Sequence, residues 1–150
     1  MGAALFYHLT RSAPEMLLPV LIGKSLEAGW RVELRGDRRE TLEALDQRLW
    51  QGDGFQPHGL AGGPHDARQP VLLTVAGTEA ATNLPACLIT VHGADLSPED
   101  CAALQRCCIL FDGNDPAALE RARSQWRALT AAGVEAQYWS EASGRWERKQ

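Results

Sequence analysis

The run Cys107-Cys108-Ile109-Leu110-Phe111-Asp112-Gly113-Asn114-Asp115-Pro116 contains the start of a strand–helix–strand unit. Its first five residues are apolar, as in a strand that is buried on both faces. The next three form a typical turn sequence, Asp115 is a preferred N-cap residue, and Pro116 suits the first position of a helix. That helix should end at Gly133, and residues 134–139 then read as a strand. This order predicts a parallel crossover connection.

The same alternation of strands and helices extends along the rest of the chain. The other predicted strands are residues 5–9, 30–34, 71–75, 86–91 and a short closing strand at 145–149, and the other predicted helices are 13–27, 38–50 and 98–105. Strands separated by helices predict an α/β fold: a single doubly wound, mostly parallel sheet with helices on both faces, Rossmann-like and forming one domain over residues 1–150. The first strand should lie centrally, because Leu5, Phe6 and Leu9 leave it no polar face for an edge position.

The first helix has two notable sequence features. Ser12 followed by Glu15 matches a capping box, which predicts a helix start near Ala13. Pro19 falls inside the helical pattern, where it should kink the helix or move its true start later. Gly29 should end the helix.

Composition places the chain among ordinary soluble domains. It has 150 residues, of which 45% are hydrophobic and 23% charged. Its longest apolar stretch, residues 16–22, is far shorter than the ~20 residues of a spanning helix, and residues 1–8 lack the features of a secretion signal. The four cysteines contain no CxxC pair, which favours buried structural thiols over a metal site. We therefore expect a cytoplasmic protein with no membrane contact.

Charge is unevenly distributed along the chain. The net charge is −4, but residues 118–150 carry six basic and four acidic side chains. An acidic body with a weakly basic end does not resemble a duplex-DNA-binding protein, which needs a broad cationic surface. It is compatible with binding one acidic peptide.

Motifs for catalysis or nucleotide binding are incomplete. Gly23-Lys24-Ser25 resembles the end of a P-loop, but Leu18 stands where the first glycine is required, and the motif falls within a predicted helix. Residues 59–63 are glycine-rich, yet no strand precedes them and no helix follows. His58, His65 and Asp66 match no metal-ligand spacing. We expect no catalytic residue, metal or cofactor; an enzyme or nucleotide-binding protein of the same architecture remains the alternative.

One candidate surface lies in the long irregular segment of residues 51–69 and the helix end before it. Large apolar side chains, namely Trp50, Phe55, Pro57 and Leu60, occur there among many glycines. They either cap the end of the sheet or form an exposed patch for a partner.

A second candidate surface lies on the last long helix. Arg123 and Arg127 are four residues apart, and Trp126 lies three residues from Arg123. Two guanidinium groups beside an indole can bind a carboxylate while the ring contacts an apolar side chain. Alternatively, the two arginines form a solvated face paired with Glu120.

Several stretches of the chain, in order and at consistent spacing, resemble the DNA polymerase III chi subunit family. The matching stretches are residues 6–9, 24–32, 45–50, 55–62, 109–113, 122–126, 138–139 and 144–147. The most specific of them is Phe55-Gln56-Pro57-His58-Gly59-Leu60-Ala61-Gly62. The resemblance covers nearly the whole chain.

The resemblance implies a doubly wound domain without a functional nucleotide site and with two binding surfaces. One surface would join the psi subunit of the clamp loader, or a helicase, through Trp50, Phe55, Pro57, His58 and Leu60. The other would bind the acidic C-terminal tail of single-stranded-DNA-binding protein, which ends in an aromatic residue, through Arg123, Trp126 and Arg127. The family is non-catalytic, needs no cofactor or metal, and implies no sequence-specific DNA contact.

Overall fold

The computed structural model describes residues 2–51, 58–77 and 80–150, which form eight strands, four α-helices and one 3₁₀ turn at Asp66–Arg68. The strands are β1 (Ala3–Leu9), β2 (Val32–Gly36), β3 (Gly59–Leu60), β4 (Val71–Val75), β5 (Cys87–Thr90), β6 (Arg106–Asp112), β7 (Ala136–Ser140) and β8 (Glu147–Arg148). The helices are α1 (Pro14–Glu27), α2 (Arg39–Gln51), α3 (Pro98–Ala103) and α4 (Pro116–Ala131).

All eight strands belong to one sheet, in the order β3-β4-β2-β5-β6-β1-β7-β8. Every neighbouring pair is parallel except β7 and β8, which are antiparallel. The connection from β1 through α1 leads towards one edge of the sheet, and the connection from β6 through α4 leads to β7 on the other side of β1. The predicted doubly wound, mostly parallel α/β fold is therefore confirmed.

Strand β1 lies between β6 and β7, as its apolar sequence predicted. Phe6 is fully buried and lies opposite Ile109 on one side and Tyr138 on the other. Because β1 is hydrogen-bonded on both edges and covered on both faces, nearly every position in it favours an apolar side chain.

The two faces of the sheet carry separate cores. Leu18, Ile22, Leu42 and Leu45 of α1 and α2 pack against one face. Side chains of α3 and α4, including Cys101, Ala122 and Leu129, pack against the other. Because side chains alternate along a strand, Phe6 and Tyr7 of β1 contact different cores.

The predicted capping box at the start of α1 is wrong. The N-cap residue is Ala13, which makes no side-chain capping hydrogen bond, and the helix starts at Pro14. Ser12 instead donates both its backbone N–H and its hydroxyl to Glu141. A carboxylate 129 residues away along the chain thus displaces the local capping partner. The helix continues through Pro19, and Gly29 ends it with a φ of 83°.

Several strand limits also differ from the prediction; β7, for example, starts at Ala136 rather than at residue 134. β2 begins at Val32 rather than at residue 30 and extends to Gly36, and β3 was not predicted. β3 has two residues and pairs with β4 through Gly59 and Leu60. Two residues are too few for an alternating pattern, so tertiary pairing alone defines this strand.

Candidate binding surfaces

The sequence signals at both ends of α4 set the position of its exposed side chains. Asp115 accepts a hydrogen bond from the backbone N–H of Ala117 at 3.0 Å, and Pro116 occupies the first turn. Gly133, with a φ of 87°, follows the helix. Ala122 and Leu129 are buried against the sheet.

Beside α4 lies a cavity of about 380 Å³ that we call the α4 recess. It is lined by residues of α4, β6 and β7 and by the end of the chain, among them Leu119, Arg123, Trp126, Arg127, Tyr138, Lys149 and Gln150. The structure thus brings together the three residues that the sequence singled out on this helix. The recess combines an apolar wall with cations.

Trp126 forms the centre of the apolar wall. Its ring contacts Phe6 edge-on, with 5.3 Å between ring centroids, and lies 6.1 Å from the ring of Tyr138. The side chain is half-buried, so one part of the indole belongs to the core and another part faces the recess. Trp126 therefore contributes to the core and also leaves part of its ring available to a ligand of the recess.

The two arginines of the recess are largely exposed and only loosely paired. Nη1 of Arg123 lies 4.0 Å from Oε2 of Glu120, and Nη2 of Arg127 lies 3.5 Å from Oε1. The arginine side chains are 60% and 65% exposed. Such exposed ion pairs contribute only about 0–1 kcal/mol, so Glu120 does not hold these guanidinium groups firmly.

Tyr138 and Lys149 also line the recess but were not singled out from the sequence. The Tyr138 hydroxyl lies 2.6 Å from Nδ1 of His8, which holds the ring in place. Burial raises the pKa of Tyr138, while the nearby Arg123 acts in the opposite direction. Tyr138 lies opposite Phe6 in the sheet. With the β1–β7 pairing known, the alternation of side chains along the predicted strand at residues 134–139 would have placed Tyr138 on the same face of the sheet as Phe6.

The candidate surface at the end of α2 is only partly described, because Phe55 and Pro57 lie outside the described residues. Trp50 is at the end of α2 and is 48% exposed. Its ring lies over that of His58, with 4.2 Å between centroids. Nε2 of His58 is 3.1 Å from Oδ1 of Asp46, and its side chain is 1% exposed. The buried His58 ring therefore supports one face of the Trp50 ring. Leu60 packs against the core.

The loop between β1 and α1, where doubly wound proteins commonly bind phosphate, holds an internal carboxylate. Thr10, Arg11 and Ser12 donate their backbone N–H groups to Oε1 of Glu141 at 3.0, 2.8 and 2.6 Å, and the Ser12 hydroxyl donates to Oε2 at 2.8 Å. Gly23-Lys24-Ser25 lies within α1, as predicted, far from this loop in sequence, and Ser25 donates its hydroxyl to the Leu21 carbonyl. We call the Glu141 contacts the Glu141 latch.

A family model for "DNA polymerase III chi subunit, HolC" matches residues 1–137. The chain belongs to this family. The resemblance noted from the sequence is thereby confirmed, and the chain is a replication accessory subunit that associates with the DNA polymerase III complex. A search of curated proteins gives no individual match.

In this chi-family chain a larger cavity, of about 620 Å³, lies at the carboxyl ends of β1, β5 and β6. Its charged lining is mixed and includes Arg11, Arg121, Asp112 and Asp115. Among the described residues no cluster of three or more His, Cys, Asp or Glu side chains is placed to bind a metal. The side chain of Asp66 instead accepts hydrogen bonds from the backbone of Gly62 and Gly63.

The four cysteines of the chi-family chain are buried and free, as expected for structural thiols. A hydrogen bond to Cys101 and then burial raise the pKa of Cys107, and a hydrogen bond to Cys87 and then burial raise that of Cys108. Within the part of the chain that the structure describes, no helix has the length and apolar character needed to cross a membrane.

Proposed function

We propose that the chain is a cytoplasmic, non-catalytic, single-domain subunit that links the clamp loader of DNA polymerase III to single-stranded-DNA-binding protein. The α4 recess binds the acidic C-terminal tail of that protein. The observation that carries this proposal is the coincidence, in one recess of about 380 Å³, of a half-buried tryptophan with Arg123, Arg127 and Lys149. Family membership supports it independently.

The chemistry of the recess matches that of an acidic peptide ending in an aromatic residue. The terminal aromatic side chain packs against Trp126 and Leu119, and the terminal carboxylate binds the guanidinium groups. Charge-assisted hydrogen bonds of this kind are stronger than neutral ones, and arginine can make two of them in parallel. Glu120, whose contacts are long and exposed, is displaced at little cost.

The Glu141 latch supports the non-catalytic assignment. In nucleotide-binding proteins of this architecture, free backbone N–H groups at the start of the first helix bind the phosphates. Here Thr10, Arg11 and Ser12 already donate to a carboxylate of the same chain. A nucleotide phosphate would have to displace Glu141 and would meet Asp112 and Asp115 at the same cavity.

Replacing Arg123 by alanine is expected to weaken binding of the tail peptide about tenfold or more. A hydrogen bond to a charged group contributes about 1.5–3 kcal/mol, and a tenfold change in Kd corresponds to about 1.4 kcal/mol. Fluorescence anisotropy with a labelled tail peptide measures the two affinities. Wild-type binding should also weaken as salt rises, because exposed charges are screened within a Debye length of about 8 Å at physiological ionic strength.

Two controls make this titration specific. Arg121→Ala removes an exposed arginine of the same helix that lines the larger cavity and not the α4 recess, so it should leave the affinity within about twofold. A tail peptide with an amidated C-terminus should bind wild type weakly and should lose little more on Arg123→Ala, because both changes remove the same contact. Equal losses for Arg121→Ala and Arg123→Ala would contradict the site.

The proposed surface for contact with the clamp loader is the end of α2 and the segment that follows it. Trp50 presents an exposed side chain whose ring contacts the buried ring of His58. The neighbouring apolar residues in sequence are Phe55, Pro57 and Leu60. Aromatic residues are enriched at the centres of interfaces. The psi subunit, or a helicase that uses the same surface, is the proposed partner.

Trp50→Ala is expected to abolish co-purification of the clamp-loader partner while leaving the domain folded. Since about half of the indole faces solvent, the free energy of unfolding should fall by less than about 2 kcal/mol. Met16→Ala is a suitable control, because Met16 is an exposed apolar residue on a different helix. Retained partner binding together with a large fall in melting temperature would show that Trp50 acts only in the core.

A further inference from the structure

The face of the sheet opposite the α4 recess has a groove beside α1. Its floor consists of Leu5 and Tyr7 from β1 and of Gln137 and Trp139 from β7. One wall is α1, and the other is Trp146, whose ring contacts that of Tyr7 edge-on with 5.4 Å between centroids. The space between the walls is about 380 Å³, and we call it the α1 groove.

The wall formed by α1 is more apolar than a solvent-facing helix surface normally is. Five residues of α1 line the groove, and four of them are spaced as one helical stripe, namely Leu17, Val20, Leu21 and Lys24; the fifth, Ser25, donates its hydroxyl to the Leu21 carbonyl within the helix. Val20 is nevertheless 49% exposed. A contiguous apolar patch left open beside aromatic side chains is typical of an interaction site.

Two cations border this apolar surface. Among the described residues, Lys24 and Arg106 line the groove and no aspartate or glutamate does. Within the described part of the chain neither of them lies within 4 Å of a carboxylate oxygen, and Arg106 instead lies over the ring of Trp30, 5.2 Å from its centroid. In a chain of net charge −4, an apolar groove bordered by these two cations is complementary to acidic, apolar side chains.

We infer that the α1 groove is a second docking site, and that its occupant is an acidic amphipathic peptide segment of a partner protein. Apolar side chains of that segment contact Val20, Tyr7 and Trp146, and its carboxylates pair with Lys24 and Arg106. A peptide is favoured over a nucleic acid because two cations on an acidic protein make a weak phosphate-binding surface.

This site is independent of the α4 recess. Neighbouring residues of β7 point to opposite faces, so Tyr138 lines the recess and Trp139 lines the groove. Occupants of the two sites are therefore separated by the sheet, and both can be bound to one molecule. The inference does not depend on the identity of the ligand in the recess.

The test is selection of displayed random 12-residue peptides against the full chain carrying Arg123→Ala, so that the α4 recess is weakened. Selected peptides should be rich in aspartate or glutamate and in large apolar residues. The double substitution Val20→Glu with Lys24→Glu should weaken their binding at least tenfold, because it places two negative charges where the groove supplies an apolar contact and a cation. Met16→Glu is the matched control, since Met16 is a more exposed residue of the same helix outside the groove lining.

Each outcome of the selection either supports or contradicts the proposed docking site. Acidic, apolar peptides that are indifferent to Met16→Glu but lost with the double variant support the site, provided that circular dichroism shows both variants to be folded. Failure to enrich such peptides, or equal losses in the two variants, overturns it. Binding of a labelled oligothymidylate that the double variant abolishes would replace the peptide by single-stranded nucleic acid.

Discussion

Glu141→Ala is expected to lower the free energy of unfolding by about 3 kcal/mol, measured by urea denaturation. The substitution leaves three backbone N–H groups, those of Thr10, Arg11 and Ser12, without their acceptor. An unsatisfied polar group in a buried setting costs about 1–3 kcal/mol, and water recovers part of this where the loop is accessible. Glu141→Gln keeps one acceptor oxygen but loses the charge, so its effect should be about half as large.

The contribution of Glu141 to the free energy of unfolding should depend on pH. Burial by itself would raise the pKa of Glu141, but the hydrogen bonds from Arg11, Ser12 and Thr10 outweigh burial and hold the pKa below its usual value of 4.5. The folded protein therefore binds a proton at this site less readily than the unfolded chain does. The contribution is fully present above pH 4.5 and is lost as the pH falls through the lowered pKa of the folded state. The difference in free energy of unfolding between wild type and Glu141→Gln should therefore shrink as the pH is lowered.

Glu135→Ala is the control for both experiments. Glu135 is an exposed acidic residue just before β7, and its loss should change stability by no more than about 0.5 kcal/mol. A Glu141→Ala variant as stable as Glu135→Ala would contradict the structural role of the Glu141 latch.

Trp126→Ala is expected to lose both stability and tail binding. Full truncation of a buried tryptophan costs about 3–5 kcal/mol, and the half-buried Trp126 should cost about 2–3 kcal/mol because its contacts with Phe6 and Tyr138 disappear. The apolar wall of the α4 recess is removed at the same time, so the Kd for the tail peptide should rise at least tenfold. Thermal denaturation and anisotropy measure the two effects separately.

Two other variants separate the roles of this residue. Trp126→Phe keeps an aromatic contact with Phe6 and should recover most of the stability, with weaker recovery of binding. Arg123→Ala should reduce binding without measurable loss of stability, because the arginine is largely exposed. If Trp126→Phe restored the melting temperature and Trp126→Ala still bound the peptide with wild-type affinity, Trp126 would be a core residue only.

Local sequence rules succeeded where one physical cause dominated. The limits of α4 followed from Asp115, Pro116 and Gly133, since capping chemistry depends on neighbouring residues only. Central placement of β1 followed from Leu5, Phe6 and Leu9, because a strand covered on both faces favours apolar residues at nearly every position. The resemblance to the chi subunit family rested on the order and spacing of short stretches, and the family match confirmed it.

The same rules failed where a distant residue competed with a local one. Ser12 and Glu15 form a good capping pair in isolation, but Glu141 offers Ser12 a buried, charged acceptor that also binds two neighbouring N–H groups. The carboxylate lies about 130 residues away in sequence, and no local pattern indicates it.

The amino-acid sequence by itself determined the alternation of strands and helices, the central position of β1, and the helix that carries Arg123, Trp126 and Arg127. These features depend on periodicity and on capping, which act over a few residues. Only the tertiary structure decided which other side chains line the two cavities: Tyr138 and Lys149 at the α4 recess, and Trp146 at the α1 groove. The pairing of β7 with β1 brings these residues to α4 and α1, and such pairing is set by the packing of the whole sheet rather than by any local signal.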